Sequence, residues 1–258
     1  MFHGLASTVI VLVATLGATS LRARRELDAV EAEPETVQIG LFYSGRAVHV
    51  RARVPAADAV VIRLVGAREA LTLKRKGKKY GLLWMNVGEV HYEAIPTLYL
   101  VKSTRKLDEI TGAATLRRLG IGFDALRDQI PADADEGARA LFGELVKLKE
   151  RDGLFSCVPS GVQLTPSASG AQKASTAFFL PATAPVGDYT IDVFAFRRGE
   201  PTQVGSATIH LVRGPTVSLL TSLATEHGLL YGCLAVAVAV AAGLVIGFVF
   251  GLRKGEAH

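Results

Sequence analysis

Six histidines and two cysteines are the residues of this chain best suited to metal or nucleophilic chemistry. A structural or catalytic metal usually takes Cys or His pairs at short, fixed spacing. His49, His91 and His210 have no such neighbour, and each falls on the polar side of a period-two run, so they read as surface residues. Ser156-Cys157 lies in no Gly-x-Ser-x-Gly or other nucleophile context. Cys233 sits inside a long apolar run, so pairing with Cys157 is not expected. Cys157 reads as a half-buried free thiol, with a disulfide between two chains as the alternative. Gly120-Ile121-Gly122 falls between helical pieces and not after a strand, which makes it a loop signal and not a phosphate cradle. Asp133, Asp135 and Glu136 mark a loop-to-helix start, where carboxylates complement the helix dipole without any catalysis. No catalytic residue, metal or cofactor is expected.

Two further clusters point to surfaces. Lys74, Arg75, Lys76, Lys78 and Lys79 surround Gly77. Such a run could contact an anion or lipid headgroups, but it reads first as a solvated hairpin tip whose charge blocks edge pairing. Ala235, Ala239, Gly243, Gly247 and Gly251 recur every four residues and form one small-residue stripe on a helix. A stripe of this kind lets a partner backbone approach closely, and in lipid such packing drives association.

The elements that carry these residues begin with the membrane. The chain has 258 residues, of which 49% are hydrophobic and 21% charged, and its mean hydropathy is +0.30. That hydropathy is high for a purely soluble protein, while the composition excludes disorder and collagen-like repeats. Two cysteines exclude a disulfide scaffold, and a net charge of +5 is too mild to imply nucleic acid. Residues 229–252 contain no charge. As a helix they reach ~36 Å, beyond the ~30 Å hydrocarbon core. Arg253 and Lys254 follow at once and favour a cytoplasmic C-terminus. Residues 4–21 are also uncharged and suit a signal-peptide core or an uncleaved anchor, although Arg22, Arg24 and Arg25 after it oppose export. Export is the preferred reading.

Between the ends the period is two. The runs 37–43, 46–54 and 59–65 alternate, and turn residues divide them at Ser44-Gly45, Pro55 to Asp58, and Gly66. Short strands are expected at 70–76, 79–86, 89–94 and 98–102, then at 161–165 and 174–180. A hairpin pairs 188–197 with 203–212 across Arg198 to Pro201, and Gly161 to Ala174 reads as a flexible loop. Over 104–152 the pattern changes to helices, at 106–110, 113–119, 123–130 and 135–151, with Thr104, Asp133 and Asp135 as caps. The fold expected is mainly β: an immunoglobulin-like β-sandwich with a helical insertion and a C-terminal transmembrane helix.

Gly81 to Asn86, Pro96 to Val101 with Ser103, Arg105, Leu107 and Ile110, Gly120 to Gly122, Leu148 to Leu154, Pro185 to Tyr189 and the C-terminal span occur in a set order and spacing. In these stretches, which cover most of 36–252, the chain resembles an uncharacterised family of transmembrane proteins first collected from alphaproteobacteria. The resemblance implies an exported domain with a C-terminal anchor, and an accessory role in anion or sulfur-compound transport. It carries over no functional residue.

The expected organisation is a signal peptide or anchor at 1–20, an extracytoplasmic domain at 35–214 with its insertion at 104–152, a span at 229–252 and a cytoplasmic tail at 253–258. The expected role is a non-enzymatic accessory or binding subunit in the cytoplasmic (inner) membrane, with the main domain periplasmic. Its partners would be the bilayer and another membrane protein, or a second copy, through the transmembrane helix, with no nucleic acid. The alternatives are an extracytoplasmic enzyme with a site assembled from scattered residues, and a structural assembly factor. Reporter fusions at His258 should be active in the cytoplasm and fusions near Gly214 outside. The reverse pattern would move the whole domain to the cytosol.

Overall fold

Alternation of buried and exposed residues dominates the computed structural model, which describes residues 30–79, 83–130, 136–167, 170–215, 222, 224–226 and 228–253. Between residues 75 and 90, positions 75–79, 83, 84 and 87 are described by backbone alone. Among the described residues strand makes up 47% and helix 28%. The chain forms two compact units, one of 38–43 with 213 onward and one of the remaining residues.

In the larger unit, β3 (Arg46–Val54) buries every second residue. It pairs with β1 (Val30–Glu33) and β10 (Gln172–Leu180), and β10 pairs with β9 (Gln163–Pro166) to complete a four-stranded sheet. A six-stranded sheet has the order β2 (Thr36–Ile39), β12 (Glu200–Arg213), β11 (Gly187–Arg197), β4 (Ala59–Gly66), β7 (Tyr99–Ser103) and β8 (Phe155–Val158). Its β7 and β8 run parallel. Arg198 and Gly199 both take positive φ, the conformation that closes a tight hairpin between β11 and β12.

The six-stranded sheet is covered on both faces. Val60, Ile62 and Leu64 of β4 face one side and Val61 and Arg63 the other, and all but Arg63 are buried. On the first side Lys102 donates to the Ala177 carbonyl of β10 at 2.6 Å and sits 5.6 Å over the Phe178 ring, which brings the four-stranded sheet against it. On the second side lies a helical layer: α1 (Leu107–Ile110), α2 (Ala113–Leu119), α3 (Phe123–Arg127), α4 (Glu136–Ala140) and α5 (Phe142–Arg151). The smaller unit contains α6 (Gly228–Arg253), which opens one residue before the charge-free run and ends one residue after it.

Several sequence expectations change. The run 37–43 does not continue as a strand, because the chain turns at Gly40. Residues 68–79 and 83–96 form two long strands, β5 (Arg68–Lys79) and β6 (Leu83–Pro96), which among the described residues pair only with each other. Gly77 stays in the ladder opposite Met85, and Gly88 borders a bulge that skips Val87, so neither glycine ends a strand. The expected flexible loop Gly161 to Ala174 contains β9 and the start of β10. Thr104 does not cap a helix: its hydroxyl accepts from the Val60 N–H, and Lys106 holds the N-cap position of α1. Asp133 and Asp135 lie outside the described residues.

The last helix of the insertion is interrupted at Leu141, yet its apolar stripe persists into the core through Ala138, Phe142 and Leu145. Leu145 is fully buried, whereas the Lys147 side chain is 70% exposed and pairs with Glu144. Leu145→Ala should therefore cost ~2–5 kcal/mol in chemical denaturation. Lys147→Ala should change little, and equal stability of both variants would mean that α5 is not docked.

Candidate functional site

Val65 and Arg63 of β4 stand beside Tyr99 and Val101 of β7, which stand beside Phe155 and Cys157 of β8, all on the helical side of the sheet. Tyr99 and Phe155 pack edge to face at 6.0 Å, and the Phe123 ring of α3 stacks on Phe155 at 6.2 Å. The Tyr99 hydroxyl donates to the Gly120 carbonyl at 2.8 Å and accepts from the Gly122 N–H at 2.8 Å. Arg63 Nη1 donates to the Leu119 and Gly120 carbonyls at 2.5 and 3.0 Å, while its Nη2 meets Asp192 at 2.7 Å. These bonds hold the α2–α3 loop on the sheet.

With that loop fixed, α1, α2 and α3 leave an open groove of about 780 Å³ in front of Cys157. Leu107, Leu116, Ile121 and Ala125 give it apolar walls. Its charged lining is largely paired: Arg117 meets Asp128 at 3.7 Å, and Arg127 meets Asp124 at 3.4 Å and Asp128 at 3.8 Å. A smaller groove of about 210 Å³ continues past Cys157 toward Lys106 and Pro159. Burial, with a smaller contribution from Glu150, pushes the Cys157 thiol up to about 12. The sulfur is therefore a protonated, weakly polar wall and not a thiolate.

The residues singled out in the sequence fall elsewhere. His49, His91 and His210 are exposed, on three different sheets. His91 Nδ1 bonds Thr72 at 3.0 Å and His210 Nδ1 bonds Asp188 at 2.7 Å, so the fold does not gather the three. Among the described residues no group of three or more His, Cys, Asp or Glu could hold a metal. Lys74 is exposed on β5, and Arg75, Lys76, Lys78 and Lys79 follow it along that strand. Cys157 is a half-buried free thiol. Ala235, Ala239, Gly243 and Gly247 are exposed on α6, with Gly251 in its last turn. The groove itself had no signal in the sequence, since its walls come from 107–128 and from Cys157.

The family model described as "Putative transmembrane protein (Alph_Pro_TM)" matches residues 29–251. The chain belongs to that family. Membership agrees with α6, whose stretch Tyr231–Phe248 is long and apolar enough to cross a membrane and has none of its residues buried. No curated protein matches the chain. Among solved structures it is similar to the N-terminal domain of the Streptococcus gordonii adhesin Sgo0707, at 8% identity and a TM-score of 0.24. That match covers 71% of this chain and 32% of the other, so it spans about a third of the adhesin chain.

The state of Cys157 is open to measurement in a full-length Cys233→Ser variant. With the folded value near 12 and the ordinary thiol value at 9.0, alkylation at pH 9 should run about 500-fold slower in the folded protein than in guanidinium. Equal rates would mean an ordinary, accessible thiol, and a faster rate in the folded protein would mean an activated nucleophile at the groove.

Proposed function

We propose that this chain is a membrane-anchored, non-enzymatic accessory or binding subunit of a membrane complex. Its β-rich body would lie on the periplasmic side of the cytoplasmic (inner) membrane. The observation that carries the reading is α6: a helix without a charge from Gly228 to Leu252, with every residue from Tyr231 to Phe248 exposed. Arg253 at its end, with Lys254 next in sequence, favours a cytoplasmic tail at 253–258. The domain at 35–214 would then be exported, with 1–20 as its signal peptide or a first anchor, although 1–20 lies outside the described residues.

The immunoglobulin-like form of this domain draws support from Tyr189. It enters β11 after Gly187-Asp188, and its hydroxyl donates to the Pro185 carbonyl four residues upstream. A tyrosine bonded back in this way near the start of a late strand occurs in immunoglobulin-like sandwiches. The open groove gives the body a place of ligand size. Its apolar walls and paired charges suit binding, and the raised thiol value of Cys157 argues against nucleophilic chemistry there. The family resemblance favours a transporter of anions or sulfur compounds as the complex served.

The stripe on α6 is the proposed contact with that membrane partner or with a second copy. Each step of four residues advances ~400°, a drift of ~40° that a right-handed crossing can follow. Among the described residues, no group beyond the helix's own backbone lies within 4 Å of where a Cβ on Gly243 or Gly247 would stand. Gly243→Leu or Gly247→Leu should release the partner in mild-detergent co-purification, while off-face Val245→Leu retains it. Retention in all three variants would leave α6 as an anchor only and move the contact to the exported body.

A further inference from the structure

Leu41 and Phe42 occupy the two central positions of a β-turn closed by the Tyr43 N–H on the Gly40 carbonyl at 3.2 Å. Such positions usually go to Gly, Pro, Asn, Asp or Ser, which adopt turn conformations and favour water. Here two large apolar side chains stand in them, with Phe42 97% and Leu41 59% exposed. A local rule broken without a local gain marks a functional position.

The position of the turn says what meets it. The Ile39 carbonyl, just before the turn, accepts the Gly214 N–H at 2.8 Å. The two backbones lie so close that a Cβ on Gly214 would stand 3.0 Å from that oxygen and 3.7 Å from the Gly40 Cα. Gly214 follows the last residue of β12, and the chain beyond it leads to α6. Residues 38–43 and 213 onward accordingly form one compact unit. Arg213, next to Gly214, is exposed and cationic, as suits a headgroup region.

We propose that the Leu41-Phe42 turn is a second membrane contact, seated at the headgroup–acyl boundary of the bilayer that α6 crosses. The inference rests on α6 spanning that bilayer. Apolar side chains buried ~5–10 Å into the boundary gain from leaving water. Because α6 already holds the chain at the membrane, this insertion is intramolecular, and a pair of residues suffices where a free peptide would not bind. The turn would thereby fix the height and tilt of the chain where it leaves the body.

The test uses the full-length protein in phosphatidylcholine–phosphatidylglycerol vesicles, with plain or brominated acyl chains, and with iodide on both sides. Three variants carry a tryptophan probe: Phe42→Trp at the turn, Val240→Trp within α6, and Glu200→Trp at the first residue of β12. The last lies ~40 Å along that strand from Arg213. Each is read as its difference from the wild-type protein, whose one tryptophan is Trp84. Brominated lipid should quench the Phe42→Trp and Val240→Trp probes at least twofold and leave the Glu200→Trp probe unchanged. Iodide should quench the Phe42→Trp probe at least twofold less than the Glu200→Trp probe. If only the Val240→Trp probe responds to brominated lipid and iodide reaches the turn freely, the span stands and the proposal fails. Shielding of the turn from iodide without lipid quenching would put a second copy of the chain there, and also overturns it. An unquenched Val240→Trp probe would remove the spanning reading itself, and the proposal with it.

Discussion

The helical layer is held to the sheet at the carbonyl of Gly120. Two donors from different strands converge on it, the Tyr99 hydroxyl at 2.8 Å and Arg63 Nη1 at 3.0 Å. Arg63 is largely buried, and a charge in that position needs compensation. It has Asp192 at 2.7 Å, the Leu119 carbonyl, and the Phe194 ring at 5.5 Å. Burial raises the Tyr99 hydroxyl well above its ordinary value, so it stays a neutral donor. Glycine is required at the convergence. Residue 120 caps α2 with φ +65°, and a Cβ there would lie 2.9 Å from Arg63 Nη1 and 3.0 Å from Gln129 Nε2. The residue that ends α2 and the residue that receives the sheet's donors are the same one. This attachment fixes the loop between α2 and α3, two of the helices that line the groove with Cys157.

What was legible in the sequence was local. The alternation of β3, the hairpin after Arg197 and the end of α2 at Gly120 each come from a period or a turn residue within a few positions, although the hairpin loop is Arg198-Gly199 alone and not the expected Arg198 to Pro201. Residues 155–158, Phe-Ser-Cys-Val, are too few to show a period, and β8 exists only because β7 accepts it in parallel from across the helical layer. Val30–Glu33 alternates apolar residues with glutamates and is stabilised by β3, not by its own propensity. The break at Leu141 was hidden because the buried stripe keeps its spacing through it. The groove was invisible for the same reason as β8: long-range bonds of Tyr99 and Arg63 set its width.

The groove's electrostatics limit its chemistry. Arg117, Arg127, Asp124 and Asp128 compensate one another in the lining, and Asp108 leaves it with one more acidic than basic residue. Exposed pairs of this kind are each worth only ~0–1 kcal/mol, and a charged ligand could displace them at small cost. The apolar walls then supply most of any affinity, through surface removed from water. Cys157 fits that environment, since the same desolvation that raises its thiol value lets it behave as a small apolar residue.

The two parts of the chain solve burial in different ways. In the body, Val48, Val50, Ile62, Leu64 and Ile191 are fully buried. Helix α6 leaves every side chain from Tyr231 to Phe248 facing outward, an arrangement that water penalises and hydrocarbon does not. Its backbone hydrogen bonds are satisfied within the helix, so a lipid surround leaves nothing on it unpaired. Stability of the body and residence in the membrane therefore rest on separate sets of residues. Ala235, Ala239, Gly243 and Gly247 are exposed, so they are free to be selected for what they pack against.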